Sequence, residues 1–591
     1  MTEHSSIPSP AERWEHLKFF PYFTVGDVMR LLVDADTRRQ VIAYYAPLRT
    51  PKVYLEFAVP TRMGMVSDEQ ITAIISSFQQ AGISTAGALV TAFDGGAFCY
   101  ENPEHLDKVR AQAERLARYC DEIIIDDWLF TTCACAACVA ARGTRSWADY
   151  RGALLAECAR THILESAHAI NPRVRVIIKF PNWWEGFHHN GYALEAQVRQ
   201  FPAFCQGIET RKRESNAQHI PTYTSYFLQR WTEKLDPEKR VSGWFDNCEM
   251  HEQPHPYLAQ VYQGVLGGSR DLVVWSGGTH YSALPGAGIF PALTAALPAL
   301  DRLAGLLPRQ ATGTATYIPY ASDGEYHLPG YLGMLGIPID PVPNFPEDGQ
   351  TCILTLHSAK DPLLAERVLA RLAGGRDVVM TWRLFQRLRG SALGTALQVI
   401  DDDGYISPRA MRVIDRTPAS RRQWRSSLQP ITDPMTFKKI RVTTWPDVIT
   451  LSAVCDDGDY GVLFSTRYLN GKLHVLNIPE NSGDLLRLPQ AALKVLRRIC
   501  TPEASFTLDA PANVAWYPYG PELFVLYNMN PISAQITLIF PDKTEHTRWR
   551  EIFHGLPVSD NEDEFNGVLR VSLPEWEVGV FALRGILSSE C

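Results

Sequence analysis

The chain has 591 residues, more than one ordinary hydrophobic core accommodates, so two to four domains are expected. A net charge of -8, with 21% charged residues, gives no electrostatic reason to bind nucleic acid or an acidic membrane. Residues 1–20 lack a basic segment followed by an apolar one, and no apolar run is long enough to span a bilayer, so we expect a cytoplasmic protein with no membrane and no nucleic acid among its partners.

Short β-rich runs alternate with helical stretches over the first 300 residues or so. The runs are dominated by Val, Ile and Leu without clean alternation, which is typical of parallel strands covered on both faces. The stretches between them, such as 68–82 and 103–120, have helical periodicity. Eight such units predict a (β/α)8 TIM barrel over residues 1–310, and without the first run the count would be seven. The predicted strands are 18–23, 52–59, 84–93, 122–128, 174–180, 203–209, 240–246 and 271–277.

A second pattern begins after a helical stretch that ends near residue 310. Apolar runs and one amphipathic helix predict a smaller α/β domain over 311–502, similar to the class I amidotransferase fold. Enzymes of that class need a cysteine in a tight strand-to-helix turn, and the corresponding stretch 374–388 has none. This domain is therefore predicted to be non-catalytic, and to build the oligomer or wall the substrate cleft. Short alternating runs over 503–591 predict a C-terminal β-sandwich.

Four cysteines are candidates for a metal site. Cys133, Cys135 and Cys138 follow the predicted fourth strand with the spacing C-x-C-x-x-C, and Cys99 follows the predicted third strand. Adjacent βα loops of a barrel lie side by side, so the four sulfurs can converge. Four thiolates form a closed, structural zinc site that leaves no position for substrate. The alternative is a set of free cysteines in an alanine-rich loop.

These cysteines, the acidic strand end before them and the pair Trp147 and Tyr150 together resemble family 42 of the glycoside hydrolases, the β-galactosidase family. Residues 257–278 also resemble the family's approach to its eighth strand. The resemblance implies a barrel, an amidotransferase-like domain, a small β domain, a zinc bound by the four cysteines, and a homotrimer. The family has Asn-Glu where this chain has Asp126-Asp127, which indicates a relative in a different family whose sugar specificity does not carry over.

Glycosidic cleavage generally needs two carboxyl groups, which a barrel presents at the carboxyl ends of its strands. The resemblance implies that Asp127, or else Asp126, is the general acid/base and that Asp246 or Glu249 is the nucleophile. Two adjacent aspartates on a strand point to opposite faces, so one should enter the barrel mouth and the other face the helices or the loop. Helix capping by either aspartate is the alternative. The candidate catalytic residues are Asp126, Asp127, Glu209, Asp246 and Glu249, of which Glu209 could instead simply pair with Arg211.

Aromatic and polar side chains near the strand ends are candidates for sugar binding. An indole face stacks on the apolar face of a pyranose and its N–H can meet a hydroxyl, although some of these rings should be core residues. Cationic and imidazole groups in the same loops can bind hydroxyls or an acidic substituent. The candidate substrate-binding residues are Trp128, Trp183, Trp184, Trp244, Trp275, Lys179, Arg211 and His280.

The leading hypothesis is therefore an exo-acting, retaining glycosidase that acts on intracellular oligosaccharides or glycosides. One alternative is a sugar-binding or regulatory protein on a degenerate barrel. Another is an α-glycosidase whose nucleophile is the aspartate after strand four. A metal-dependent amidohydrolase is disfavoured, because that class needs a His-x-His pair after the first strand and this chain has none there.

Overall fold

The structure is a computed structural model. It describes residues 13–61, 64–91, 98–127, 129–211, 220–248, 254–282, 288–415, 425–443, 449–542, 548–557 and 567–583. The chain forms two compact units, Met1–Arg309 and Gln310–Cys591. The first unit ends next to the boundary at residue 310 that the sequence predicts.

The first unit is a closed barrel. In its described residues, eight parallel strands pair in chain order, and the last pairs with the first. Each strand lies within a predicted run, which confirms the predicted (β/α)8 fold. Several strands end earlier than predicted, because the chain turns into the βα loops while its sequence is still apolar. The strands are β1 (Lys18–Phe23), β2 (Lys52–Leu55), β3 (Ser84–Leu89), β4 (Glu122–Ile125), β5 (Arg175–Phe180), β6 (Ala203–Gly207), β7 (Arg240–Asp246) and β8 (Asp271–Trp275).

Helices connect these strands. Several begin at polar N-caps that accept a backbone N–H, as Ser67 does from Gln70 and Asn102 from Glu104. They are α1 (Val25–Asp27), α2 (Ala35–Tyr44), α3 (Asp68–Gln80), α4 (Pro103–Tyr119), α5 (Ala136–Arg142), α6 (Trp147–Cys158), α7 (Glu165–Ile170), α8 (Phe187–Asn190), α9 (Leu194–Gln200), α10 (Thr224–Glu233), α11 (Pro254–Leu266), α12 (Gly277–Ser282) and α13 (Ile289–Leu306).

Helix α13 corrects one expectation from the sequence. Its 18 residues are long and apolar enough to cross a membrane by length and composition alone. Its buried residues recur every three or four positions, from Ile289 through Leu293, Leu297 and Leu300, and the helix packs against α11. This periodic buried face is that of a helix in the outer layer of the barrel.

Alternation along the strands fills the barrel interior. Every second residue of a strand points inward, and these side chains form one buried cluster. Large rings from β1, β2 and β7 meet small residues from β3 and β6, which lets the layers interdigitate. The cluster contains Phe20, Tyr22, Tyr54, Ala86, Ala88, Ile124, Ile177, Ala203, Cys205, Trp244 and Val273, with Trp275 packed against it.

The second unit contains, in its described residues, a nine-stranded mixed sheet of order β10-β9-β11-β12-β21-β20-β19-β15-β16. The first five strands are parallel and the remaining pairs are antiparallel. The strands of this region are β9 (Thr314–Tyr317), β10 (Ile339–Val342), β11 (Thr351–Leu354), β12 (Asp377–Thr381), β13 (Val399–Asp401), β14 (Tyr405–Ile406), β15 (Ala410–Asp415), β16 (Arg425–Pro430), β17 (Phe437–Lys438), β18 (Arg441–Val442), β19 (Ile449–Cys455), β20 (Gly458–Tyr468) and β21 (Gly471–Leu476). Its helices are α14 (Leu328–Met334), α15 (Leu364–Ala373), α16 (Trp382–Leu388) and α17 (Gln490–Cys500).

The end of the chain forms two small antiparallel sheets around a separate apolar core that includes Phe506, Trp516 and Phe524. One sheet has the order β22-β25-β27 and the other β23-β24-β28-β26 among the described residues. The strands are β22 (Thr507–Asp509), β23 (Val514–Pro518), β24 (Leu523–Asn528), β25 (Ala534–Ile539), β26 (Trp549–Glu551), β27 (Val568–Leu573) and β28 (Val578–Leu583).

Candidate active site and cysteine cluster

The alternation that fills the barrel also builds the candidate site. Continuing the inward series beyond the apolar core leads from Tyr54 to Glu56, from Ile124 to Asp126 and from Ile177 to Lys179. The same step leads from Cys205 past Gly207 to Glu209, and from Trp244 to Asp246. Each series ends in a charged residue at the carboxyl end of its strand, and all five of these residues are buried. The charged layer therefore lies directly above the apolar core, at the barrel mouth.

Lys179 is the cation at the centre of this layer. Its Nζ lies 3.1 Å from Asp127 Oδ2, 3.2 Å from Asp126 Oδ1 and 3.5 Å from Glu209 Oε1. The ammonium also stands 4.0 Å from the centre of the Trp244 ring. Burial opposes its charge, but the carboxylates of Asp127, Asp126 and Glu209 together raise the pKa of Lys179 well above its usual range. Lys179 therefore ties strand four to strand six as a permanent cation.

Arg211 makes the corresponding link between strands six and seven. Its Nη2 and Nε donate to Asp246 Oδ2 at 2.7 and 3.1 Å, and Nη2 lies 4.0 Å from Glu209 Oε1. The backbone N–H of Cys248 donates to the other oxygen of Asp246 at 3.2 Å. Arg211 has a φ of 54°, in the left-handed region that non-glycine residues rarely adopt. The predicted pairing of Glu209 with Arg211 is present as a 4.0 Å ion pair, but the shorter contacts of Arg211 go to Asp246.

Glu209 is fully buried between these two cations. A side chain at Gly207 would place its Cβ 2.6 Å from Glu209 Oε2, so the glycine makes room for the carboxyl group. Asn182 holds the backbone in place by donating to the Glu209 carbonyl oxygen at 2.7 Å. Within the described residues neither side-chain oxygen of Glu209 has a hydrogen-bond partner. Burial, opposed by Lys179 and reinforced by Asp246, raises the pKa of Glu209 to about 7.

A second proton-holding group, Glu56, follows β2. Tyr22 Oη lies 2.6 Å from Glu56 Oε1 and 3.3 Å from Asp126 Oδ2, while the N–H of Val25 donates to Glu56 Oε2 at 2.8 Å. Burial raises the pKa of Glu56 to about 8. Burial also raises the pKa of Asp126 to about 6, although Lys179 acts in the opposite direction. A continuous chain of polar contacts thus joins Glu56, Tyr22, Asp126 and Lys179.

The charge balance explains these shifts. Among the described residues at the mouth, five carboxyl groups (Glu56, Asp126, Asp127, Glu209 and Asp246) face two cations, Lys179 and Arg211. Five carboxylates cannot all stay charged in a buried site with only two positive charges. The three groups whose pKa is raised are Glu56, Glu209 and Asp126, to about 8, 7 and 6. Below about pH 6, where all three are protonated, the two remaining carboxylates balance the two cations, and the protons leave one after another between about pH 6 and pH 8.

The expectation that Asp126 and Asp127 point to opposite sides of the strand is wrong. β4 ends at Ile125, and Asp126 still follows the inward alternation, whereas Asp127 lies in the loop beyond, where strand alternation no longer fixes its direction. Both carboxylates contact the Nζ of Lys179, and Asp126 also accepts the backbone N–H of Asp127 at 2.7 Å. Asp126 is buried, whereas 24% of the Asp127 side chain is exposed. The two form one coupled acidic pair, in which Asp127 is the more accessible member.

The candidate sugar-binding residues take different positions, with Lys179 and Arg211 in the charged layer already described. Trp183 and Trp275 are half-buried at the ends of β5 and β8. Trp184 packs against Phe227 and Trp231 in the helical layer, and His280 is buried with its Nε2 3.0 Å from Tyr257 Oη. The expectation that these last two bind substrate is wrong, because neighbouring helices cover them. Trp244 is also wrong as a stacking surface, since it is buried beneath Lys179. Trp128 and Glu249 lie outside the described residues.

Sequence reasoning missed Glu56 and Tyr22. A signal for both was present, since Glu56 lies two residues after the inward Tyr54 within a predicted strand, and Tyr22 lies within the predicted first strand. Counting in steps of two from the apolar core would have placed both on the inner face.

The four predicted cysteines come together. Their Sγ atoms all lie within 4.8 Å of one another, with Cys99 Sγ 3.6 Å from Cys138 Sγ and 3.8 Å from Cys135 Sγ. A tetrahedral zinc with Zn–S bonds of about 2.3 Å separates its sulfurs by about 3.8 Å. Hydrogen bonding to the backbone N–H of Cys138 lowers the pKa of Cys135 to about 7, whereas burial raises the pKa of Cys99 and of Cys138. The donor set therefore fits a four-thiolate metal site.

Comparison with known families divides the chain as the fold does. Residues 8–284 match the family described as "Probable glycosyl hydrolase, catalytic domain". Residues 310–481 match the family described as "Uncharacterized protein SSO3021, second domain". A curated relative, the uncharacterized protein SSO3021 of Saccharolobus solfataricus, is 22% identical over 246 residues. That similarity spans 36% of this chain and 40% of the relative's length.

Solved structures extend the likeness to nearly the whole chain. The β-galactosidase from Bacillus circulans sp. alkalophilus is similar with a TM-score of 0.64 and 12% identity, covering 97% of this chain and 99% of that one. The α-L-fucosidase isoenzyme 2 from Paenibacillus thiaminolyticus is similar with a TM-score of 0.62 and 12% identity, and the coverage of both chains is the same. The β-galactosidase from Halorubrum lacusprofundi is similar with a TM-score of 0.61 and 13% identity, covering 96% of this chain and 99% of that one. At these identities the likeness is one of fold. The predicted resemblance is thus confirmed: a glycosyl hydrolase-type catalytic barrel stands in a chain that has the fold of the family 42 β-galactosidases.

Proposed function

We propose that the protein is an exo-acting, retaining glycosidase that removes sugar residues from small intracellular oligosaccharides. The observation that carries this proposal is the meeting of the strand-four aspartates and Asp246 at the barrel mouth, linked through Lys179, Glu209 and Arg211. The family match of the barrel supports the reaction class. The exo mode and the intracellular substrates are supported by the likeness to family 42 alone.

The strand-four pair supplies the general acid. Burial raises the pKa of Asp126 to about 6, and Asp126 and Asp127 both contact the ammonium of Lys179. Asp127 is the partly exposed member and is placed to pass a proton to the glycosidic oxygen as the bond breaks. Lys179 holds both carboxyl groups in position at the barrel mouth.

Asp246 is the nucleophile in this proposal. Its carboxylate attacks the anomeric carbon and forms a C–O bond while the glycosidic C–O bond breaks and the departing oxygen takes the acid's proton. A water molecule then attacks the same carbon, gives its proton back to the strand-four pair and releases Asp246. Arg211 and the N–H of Cys248 hold Asp246 in one orientation, which reduces the entropy lost on reaching the transition state. The half-buried rings of Trp183 and Trp275 are available to border the sugar.

The test is a screen of aryl glycosides and oligosaccharides in which the product anomer is followed by NMR. We expect hydrolysis of at least one terminal sugar with retention of configuration. Asp127→Asn should slow substrates with poor leaving groups far more than activated aryl glycosides, because the latter need little protonic assistance. No hydrolysis of any glycoside, with sugar binding preserved, would favour the binding-protein alternative. Inversion would contradict the nucleophilic role of Asp246.

A second candidate reaction is supported by a specific observation. Asp127 contacts Lys179 directly, while Glu209 holds a proton up to about pH 7, so an Asp127 nucleophile with Glu209 as acid is the alternative pair for an α-glycosidase. The similar fold of an α-L-fucosidase supports keeping this alternative. The configuration of the azide product distinguishes the two. Azide in a vacated nucleophile site displaces the aglycone directly and gives a glycosyl azide of inverted configuration, whereas in an acid/base variant it attacks the covalent intermediate and gives one of retained configuration. An inverted azide from Asp246→Ala supports the first assignment, and an inverted azide from Asp127→Ala the second.

The cysteine cluster is proposed to hold one structural zinc, and the chain to form a homotrimer as the family resemblance implies. The contacts among the four sulfurs support the zinc. We expect about one zinc per chain by elemental analysis, and a lower melting temperature after chelation with little change in the chemical step. Metal-free protein with unchanged stability would contradict the zinc. A monomeric mass by light scattering would contradict the trimer.

A further inference from the structure

The second unit has a cavity of its own at the carboxyl edge of the parallel strands. It has a volume of about 380 Å³, which is in the range of small-molecule sites. Ligands of open α/β sheets bind outside the carboxyl ends of the strands. The lining residues that matter here come from the loops after β9 and β21, from the last position of β12, and from α16, β14 and β17. They are Glu325, Asn477, Thr381, Arg387, Tyr405 and Lys438.

The polar side chains at the floor of this cavity are held in place by hydrogen bonds to other parts of the protein. Glu325 is buried, and its two oxygens accept hydrogen bonds from Thr381 Oγ1 at 2.5 Å and from the N–H of Leu356 at 2.6 Å. Asn477 donates to the carbonyl oxygen of Lys438 at 2.8 Å, which fixes the backbone beneath that lysine. Thr381 occupies the strand-to-helix turn, and its hydroxyl is already committed to Glu325 and to capping α16. The floor is thus suited to binding rather than to covalent chemistry.

The walls carry positive charge. Arg383 is paired with Glu480 at 3.4 Å. In the part of the chain that the structure describes, no carboxylate oxygen lies within 4 Å of the charged nitrogens of Arg387 or Lys438. A guanidinium with no ion-pair partner is a fork of donors suited to a carboxylate or phosphate group.

One aromatic ring completes the cavity. Tyr405 is 57% exposed, which is unusual for a ring on a strand, and the Nζ of Lys438 lies 4.9 Å from its centre. An exposed ring beside a cation offers a stacking surface next to an anion-binding group.

We propose that this cavity binds a small anionic sugar, either a hexuronate or a sugar phosphate. Arg387 and Lys438 would hold the carboxylate or phosphate group, and Tyr405 would stack against the pyranose ring. The proposal goes beyond the glycosidase activity and does not depend on it, since no residue of the barrel takes part.

Isothermal titration of the full chain with glucuronate, glucose 6-phosphate, glucose and inorganic phosphate tests this site. We expect at least one anionic sugar to bind, with glucose at least about tenfold weaker. Arg387→Gln should weaken the binding of the anionic sugar by about tenfold or more, since a charge-assisted bidentate contact is lost. Tyr405→Ala should weaken the binding of the sugar but leave the affinity for inorganic phosphate unchanged. Arg550→Gln, an exposed arginine of β26 outside the cavity, is the matched control and should change nothing.

Several outcomes overturn the proposal. They are the failure of both anionic sugars to bind at millimolar concentration, equal binding of glucose, and unchanged binding by Arg387→Gln with an unaltered melting temperature. Inorganic phosphate that binds as tightly as the sugar phosphate would show that the cavity takes a bare anion and would overturn the role of Tyr405. Glucuronate and glucose 6-phosphate, run as separate arms, identify which anionic group the cavity prefers.

Discussion

The barrel mouth and the carboxyl edge of the nine-stranded sheet occupy equivalent positions in their folds, but carboxyl groups outnumber cations at the first and cations line the walls of the second. Both collect polar residues where parallel strands end. At the barrel mouth five carboxyl groups surround two cations, and the most accessible acid there, Asp127, is only 24% exposed. At the sheet edge the acid Glu325 is consumed by the scaffold, and Arg387 and Lys438 stand on the walls.

The difference follows from closing the sheet. In a barrel the inward side chains of all strands converge on one axis, so charged residues at the strand ends are buried together and shift one another's pKa. In an open sheet covered by helices, strand-end residues brace the turns, as Thr381 does, and the ligand-facing groups come from helices and short strands instead. A crowded acidic layer stores protons and suits chemistry, whereas a rigid cationic rim suits recognition.

The largest expected effect is the loss of glycosidase activity when Asp246 at the barrel mouth is changed, with no expected change at the sheet edge. Asp246→Asn keeps the shape of the side chain but removes the carboxylate, so kcat/KM should fall by about three orders of magnitude or more. The measurement is steady-state hydrolysis of the best substrate from the screen, with the fold checked by circular dichroism. The matched control is Asp271→Asn at the amino end of β8, where the carboxylate lies 4.0 Å from Lys18. A similar loss in both variants would mean that Asp246 matters for stability rather than for catalysis.

A smaller effect should come from changing the charge balance itself. Lys179 lowers the pKa of both Asp126 and Glu209, so Lys179→Met should raise both. The acid then stays protonated to higher pH, so the alkaline limb of kcat/KM should move upward from the position near pH 6 that we expect from the pKa of Asp126. We expect the rate to fall about 10- to 100-fold, because Asp127 loses its partner.

The control for that variant is Lys52→Met. Lys52 is also partly buried and its ammonium lies over aromatic rings. Its Nζ is 2.5 Å from Glu122 Oε1, but it lies at the amino end of the barrel. It should alter stability without moving the pH limb. A limb that stays near pH 6 in Lys179→Met would show that the strand-four pair is not the group that titrates.

The fold was largely predictable because its strongest signals are local. β4, β5 and β8 are rich in Val, Ile or Leu, and all eight barrel strands lie where the sequence predicts them. Strand ends were less predictable, since apolar character continues past the last paired residue, as in Phe57 and Ala58 after β2. Burial in the helical layer was not predictable either. Trp184 and His280 follow strands in sequence, but partners from distant helices decide whether they face the mouth.

The site was predictable as a set of strand ends but not as a network. Glu209 and Asp246 follow from strand position, and Lys179 from the inward alternation of β5. The sequence could not reveal that Asp127 leaves the alternation of β4, which is what brings both aspartates to one lysine. Nor could it reveal that Gly207 makes room for Glu209, because that contact depends on how the side chain folds back over its own strand.

The smallest expected effect concerns stability and tests the stored protons. The folded-state pKa of Glu56 is about 8, above its ordinary range, so the folded protein keeps a proton that the unfolded chain releases from about pH 4 upward. The stability that this proton on Glu56 contributes is therefore fully present below about pH 4 and falls as the pH rises toward 8. Glu209 and Asp126 add to the same slope at about pH 7 and 6.

Glu56→Gln should remove the part of this slope that Glu56 causes. Its amide oxygen can accept the N–H of Val25 and its amide nitrogen can donate to Tyr22 Oη, which then donates to Asp126, so glutamine reproduces the protonated acid at every pH. We expect a melting temperature close to wild type at pH 5 and higher than wild type at pH 8, a gain on the order of a few kcal/mol at most. Thermal unfolding across pH 5–8 is the measurement, with Glu366→Gln on the exposed face of α15 as the control that keeps the wild-type slope. If the melting temperatures of Glu56→Gln and wild type change with pH in parallel, Glu56 is ionised in the folded protein. The carboxylates at the mouth are then neutralised by cations and not by bound protons.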